Sequence, residues 1–142
     1  MSQEFASEQN QRRSVLLLVT EPILGELICY RLELLGYETQ LTTTQDELEN
    51  VLETTLPQLF LVDLDSIEQD HLQLVERLTA NEVTTRIPVV CLSQEGDLDR
   101  AEKAYHAGAK DLLVVPFDPI LLENKVAHWY EESERGALLA SQ

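Results

Sequence analysis

Cysteine is scarce in this chain, with two among 142 residues. Cys29 lies inside a helix-like stretch and Cys91 inside an apolar run, which leaves no disulfide framework and no cysteine-rich metal centre. Both are expected to be reduced, packed thiols. Basic residues are few as well: ten Lys and Arg stand against 26 Asp and Glu, a formal net charge of −16. They are scattered from Arg12 to Arg135, so a phosphate backbone would be repelled and no nucleic-acid partner is expected. Long apolar runs are missing. The longest, Val15–Val19 and Ile87–Leu92, fall far short of the ~20 residues that span a bilayer, and MSQEFASEQNQRRS at the start has no apolar core of the signal-peptide kind. No membrane contact is expected, and the protein reads as cytoplasmic. Glycine is sparse too. After the first apolar run, VTEPILGEL offers only Gly25, so no nest of backbone amides is available for a nucleotide or flavin phosphate. His71, His106 and His128 fall on three separate helical stretches without ligand spacing, and no metal site is drawn from them.

What is present is the composition of one ordinary globular domain, 44% hydrophobic and 25% charged, in a length that can bury a core unaided. Short apolar runs alternate with amphipathic stretches. SVLLLV predicts a strand over 14–19 buried on both faces. Pro22 opens a helix whose Leu24, Ile28, Leu32 and Leu35 recur at helical spacing until Gly36. YETQLT is a short second strand, and Thr44 can cap a helix that turns Leu48, Val51 and Leu52 inward. QLFLVDL, EQDHLQLVERL, IPVVCLS, GDLDRAEKAYHAGA and DLLVVP read as strand, helix, strand, helix and strand, with Gly108 stopping the fourth helix. A last helix from about Pro119 carries Leu122, Val126 and Trp129 on one stripe and is expected to fray after Gly136. The organisation is therefore a polar tail over 1–13, one domain over 14–135 and a C-terminal tail over 136–142.

Five strands alternating with five helices imply right-handed crossovers and a five-stranded parallel sheet covered on both faces, a doubly wound α/β sandwich of the flavodoxin-like class. Chemistry in such folds gathers at the carboxyl ends of the strands, which singles out Val19–Glu21, Asp63–Asp65, Ser93 and Val115–Pro116. Asp63 ends a run that is otherwise fully apolar, and a carboxylate is costly to bury without partners. It is either a helix-capping acid at the rim or a nucleophile able to form an acyl phosphate. Ser93 could supply a hydroxyl to a phosphoryl oxygen, or simply open the turn before QEGD. Glu21 suits the positive end of the first helix as well as it suits a metal.

At this point the chain resembles the receiver domains of two-component response regulators along nearly its whole length. PQLFLVDL resembles the family's third strand with Asp63 as phosphoacceptor, and RIPVVCLS its fourth strand with the hydroxyl at Ser93. AYHAGAKDLLVVPFDP and LLGYETQLTTT are similar to the family's segments around strand five and strand two. The departures matter more. The two adjacent acids that hold Mg²⁺ in the family fall at Val19 and Thr20, the strand-five Lys at Val115, and the aromatic switch residue at Leu112. The Pro and Gly of the loop after the phosphoacceptor fall at Ile67 and His71. Phosphoryl transfer relies on metal and cationic side chains to neutralise the phosphoryl oxygens, so the resemblance implies a pseudo-receiver, not an enzyme, with phosphorylation at Asp63 impaired or absent. The alternative is a conventional phosphoacceptor using a reduced Mg²⁺ site of Glu21, Asp63 and Asp65; otherwise no cofactor is expected. VDLDSI also resembles the first motif of haloacid-dehalogenase-type phosphatases, with Asp63 as nucleophile and Asp65 as general acid, although two strand–helix units precede it here. The receiver reading implies a protein partner, such as a histidine kinase or an output protein, or a second copy of the chain. Either would meet the face of helix four, strand five and helix five, with Leu98, Ala101, Tyr105, Trp129 and Tyr130 as contact candidates. The bond after strand five, Val115–Pro116, is expected to be cis, against the ~5–6% base rate for X–Pro bonds.

Overall fold

The computed structural model describes residues 13–65, 70–94 and 97–140, the last four by backbone alone. The chain runs β1 (Arg13–Leu18), α1 (Pro22–Leu34), β2 (Tyr37–Thr42), α2 (Gln45–Leu52), β3 (Leu59–Asp63), α3 (His71–Ala80), β4 (Val89–Gln94), α4 (Leu98–His106), β5 (Asp111–Val115) and α5 (Pro119–Ala140). All strand pairs are parallel, in the order β2-β1-β3-β4-β5, with β3 at the centre between β1 and β4. This is the doubly wound sandwich that the alternating pattern predicts.

Alternation along each central strand divides the interior in two. Val15, Leu17, Leu61 and Leu92 pack under α1 and α5 with Ile28, Leu32, Leu122 and Val126. Leu16, Leu18, Phe60 and Val62 point the other way, onto Leu48 of α2, Leu74, Val75 and Leu78 of α3 and Ala104 of α4. Cys91 belongs to the second layer, fully buried, and burial pushes its thiol up to about 12. Cys29 is also free and half-buried.

Each of the first four helices starts on a side-chain oxygen that satisfies otherwise orphaned amides. Glu21, Thr44, Asp70 and Asp97 cap α1 to α4 in turn, and the Thr44 hydroxyl that accepts from the Glu47 N–H also donates to the Glu47 carboxylate. Gly36 and Gly108 follow α1 and α4 with φ of +94° and +109°, a region that costs other residues free energy. Most boundaries shift by one to three residues from the sequence pattern, β4 for example beginning at Val89 and not Ile87. β1 begins at Arg13, because Arg13 lays its guanidinium over the rings of Tyr37 and Tyr130. α3 begins at His71, and residues 68–69 of the expected helix lie outside the described residues. α5 does not stop at Gly136 but continues to Ala140; one glycine costs a helix only about 1 kcal/mol, too little to end it. The Val115–Pro116 bond is cis. No helix among the described residues is long and apolar enough to cross a membrane.

Candidate functional site

The register of the sheet brings the carboxyl ends of β1, β3 and β4 together, since Leu18 lies beside Val62 and Asp63 beside Leu92, one residue before Ser93. Asp63 is the last residue of β3 and only 6% exposed. A buried carboxylate needs hydrogen-bond donors, and two are found. The backbone N–H of Asp65 donates to Oδ1 at 2.8 Å and the Thr20 hydroxyl to Oδ2 at 3.3 Å. The Asp63 carbonyl oxygen is met by Nδ1 of His71, itself buried. A carbonyl can only accept, so Nδ1 carries the hydrogen. Ser93 is 1% exposed, and its Oγ has no partner among the described residues. Buried hydroxyls are ordinarily satisfied, so an unpaired one at this rim is a hydrogen-bond donor without an acceptor.

The three acids of the expected reduced Mg²⁺ site are not brought together. Glu21 spends both carboxylate oxygens on the first turn of α1, accepting from the N–H groups of Ile23 and Leu24 at 3.1 and 2.6 Å. Its place is that of a helix cap, the simpler of the two roles the sequence allows. Val19 is fully buried and has no side-chain oxygen, while the Thr20 hydroxyl is turned onto Asp63. Among the described residues no three His, Cys, Asp or Glu are grouped to hold a metal ion. Mg²⁺ demands a near-octahedral shell of hard oxygens, and the side chains here do not fit it. Asp65 sits half-buried beside Asp63. Burial raises its carboxyl above the ordinary range, the Asp63 charge adds to that, and the Arg100 guanidinium pulls it back.

On β5, Val115 is half-buried and packs on the apolar layer under α1 and α5, and Leu112 packs on the opposite layer. Neither supplies charge to the rim. A cation approaches from α4 instead: Nη2 of Arg100 donates to the carbonyl of Leu64, the residue after Asp63. The sequence gives little warning of this, because an arginine in DLDRAEK reads as an ordinary solvated helix residue. Of the candidate contact residues, Leu98 and Tyr105 are exposed. Tyr130 is not. It is buried edge-on against Tyr37 under Arg13, because its helix position faces the sheet. Trp129 is partly buried and donates from Nε1 to Asp111 at 2.9 Å. Ile67 lies outside the described residues.

Residues 15–127 match the family model of the response regulator receiver domain. The chain belongs to that family. Receiver domains are signalling modules of two-component systems. This receiver is 28% identical over 107 residues to the phosphate regulon transcriptional regulatory protein PhoB of Pseudomonas aeruginosa, across 75% of this chain and 47% of that protein. It is 28% identical over 104 residues to the DNA-binding dual master transcriptional regulator RpaA of Synechocystis, across 73% of this chain and 43% of that protein. The chain thus spans about half the length of the curated relatives it matches. Among solved structures, the receiver domain of NtrX from Brucella abortus superposes with a TM-score of 0.75 at 24% identity, covering 82% of this chain and 98% of that one. The chemotaxis response regulator CheY4 of Vibrio cholerae does so with 0.77 at 17% identity, covering 84% and 99%. The haloacid-dehalogenase-type reading needs its first Asp on the first strand of the core, and in this receiver Asp63 ends the third.

Proposed function

We propose that this receiver signals by protein contact with phosphoryl transfer to Asp63 impaired. The observation that carries the reading is the set of side chains around Asp63. Val19 and Thr20 stand where the family holds its metal-binding acids, Thr20 bonds Asp63 directly, and the strand-five cation is replaced by Val115. Phosphorylation would turn Asp63 from a monoanion into an acyl phosphate dianion, one further negative charge at a buried position that already has Asp65 beside it. Without metal or ammonium, losing even one such electrostatic partner costs about 10²–10³ in rate.

The domain is then a scaffold whose output is a surface. Leu98, Tyr105 and Val114 are exposed on α4 and β5, on the face that suits a protein partner, either a histidine kinase, an output protein or a second copy. The net charge of −16 favours a basic or apolar contact over a nucleic acid. Such a role is non-catalytic.

The test is incubation with Mg²⁺ and acetyl phosphate, or with beryllofluoride, followed by intact mass and amide shifts. The native chain is expected to stay unmodified, while Val19→Asp, Thr20→Asp and Val115→Lys together gain a phosphoryl mass increment that Asp63→Asn abolishes. Stoichiometric modification of the native chain at Asp63, with shifts spreading along β4 and β5, would overturn the reading in favour of a conventional phosphoacceptor.

A further inference from the structure

Several cations among the described residues sit on carboxylates: Arg31 on Glu123, Arg77 on Glu49, Lys125 on Asp111 and Lys103 on Asp99. Arg100 does not. Among the described residues its guanidinium hydrogen-bonds only the Leu64 carbonyl, and its Nε is buried with no partner at all. A guanidinium carries five N–H donors in a rigid fork and does not deprotonate, so a half-buried one with an idle donor is poised for an acceptor. What lies beside it is the phosphoacceptor's own loop. Leu64 follows Asp63 directly, and Asp65, next along, feels the Arg100 charge. The second idle group at the same rim is the Ser93 hydroxyl, 1% exposed and also unpaired. Arg100 is held in place from its own helix, where its backbone N–H bonds Asp97 at 3.1 Å in the first turn of α4, whose positive dipole end adds to the charge.

We propose that Arg100 is the resident cation of the Asp63 site, supplied from α4 in place of the strand-five lysine, and that its fork together with the Ser93 hydroxyl receives the oxygens of a phosphoryl group carried by Asp63. The step it assists is attack of an Asp63 carboxylate oxygen on phosphorus of an acyl phosphate donor. The new P–O bond forms as the bond to the leaving carboxylate breaks, that carboxylate departs with the electron pair, and no proton changes hands. Arg100 meets charge on the transferring oxygens, the kind of contact at which bidentate guanidinium recognition is strong. This inference rests on the receiver reading of Asp63 and deepens it, since it names where the missing charge comes from.

The experiment uses the full chain carrying Val19→Asp and Thr20→Asp, with Val115 left in place, so that metal ligands are present and Arg100 is the cation under test. Acetyl phosphate and Mg²⁺ are added and the initial rate of labelling is read by intact mass, with Asp63→Asn as blank and circular dichroism as the check on folding. Arg100→Gln keeps a donor for the Leu64 carbonyl but removes the charge, and is expected to slow labelling about tenfold or more. Arg100→Ala is expected to slow it at least as much, and Val115→Lys to restore the rate in either variant. Equal rates with Arg100→Gln would overturn the proposal while leaving the receiver reading standing. Failure of Val115→Lys to restore the rate would also overturn it, because the defect would then not be one of charge. A background chain that takes no label until Val115→Lys is added would overturn the proposal while agreeing with the reading of an impaired site, because Arg100 would then supply no working cation; a chain that takes no label even with Val115→Lys would overturn both.

Discussion

A single methyl group added after α4 or within α5 has opposite consequences. A Cβ on Gly108 would stand 2.7 Å from Thr79 Oγ1 and 2.8 Å from its Cβ, at a φ of +109°. Thr79 cannot move aside cheaply, since its hydroxyl bonds the carbonyl of Ala107 at 2.7 Å. Gly108→Ala is therefore expected to cost roughly 2–4 kcal/mol, the sum of backbone strain and overpacking. A Cβ on Gly136 would meet nothing within 4 Å, so Gly136→Ala inside α5 is expected to stabilise by about 0.5–1 kcal/mol. Urea midpoints of the two variants check both signs, and two shifts in the same direction would contradict the placement of these glycines. At this scale the sequence was informative where a residue type is unusual for its surroundings. Asp63 stands out because a carboxylate interrupts an apolar run, and Ser93 because it ends one. Arg100 and His71 do not stand out, since charged and titratable residues on helices are common and only the folded chain brings His71 onto the Asp63 carbonyl and Arg100 onto the Leu64 carbonyl.

The elements were legible because each apolar run has the length and bounds of a buried strand and each helix carries its own cap. Their ends were less so, since a boundary depends on contacts such as Arg13 over Tyr37 and Tyr130 that periodicity does not encode. β5 and α5 are joined by a contact of this kind. Asp111 accepts from Lys125 Nζ at 2.7 Å and from the Trp129 indole at 2.9 Å. Burial pushes the Asp111 carboxyl up, but the bonds from Lys125, Trp129 and the Leu112 amide outweigh it and leave it below the ordinary value. A carboxyl with a depressed folded-state value adds stability above the unfolded-state value and loses it as pH falls through the folded one. Asp111→Asn is thus expected to lower stability by about 1–3 kcal/mol at neutral pH. The gap to the native chain should shrink as pH falls below the ordinary carboxylate range and through the depressed folded-state value, where the native carboxyl becomes protonated too. Trp129 is the only tryptophan, so its emission during urea unfolding reports the transition and the altered contact in one measurement. A constant gap across that fall in pH would mean that Asp111 acts by packing and not by charge.

At the scale of the whole molecule the acidic surface sets behaviour in solution. A formal net charge of −16 on 142 residues makes the compact state repel itself, an effect screened once the Debye length falls to about 8–10 Å. The thermal midpoint is expected to rise by about 2–4 °C between roughly 10 mM and roughly 150 mM NaCl. A midpoint that falls with salt would mean that attractive ion pairs such as Lys125–Asp111 outweigh the repulsion. The sheet, meanwhile, separates two apolar layers that share backbone but few side-chain contacts. Ile28 and Val75 lie on opposite faces of it, in different layers, with a sheet's thickness between them. Trimming either one, Ile28→Val or Val75→Ala, costs about 0.5–2 kcal/mol. Because neither cavity can be filled by side chains from the other face, the double variant should lose the sum of the two to within about 0.5 kcal/mol. The molecule would then be cooperative in unfolding yet thermodynamically divided in its interior, so that the layer beneath α1 and α5 can drift in sequence without retuning the layer that carries α4 and its arginine.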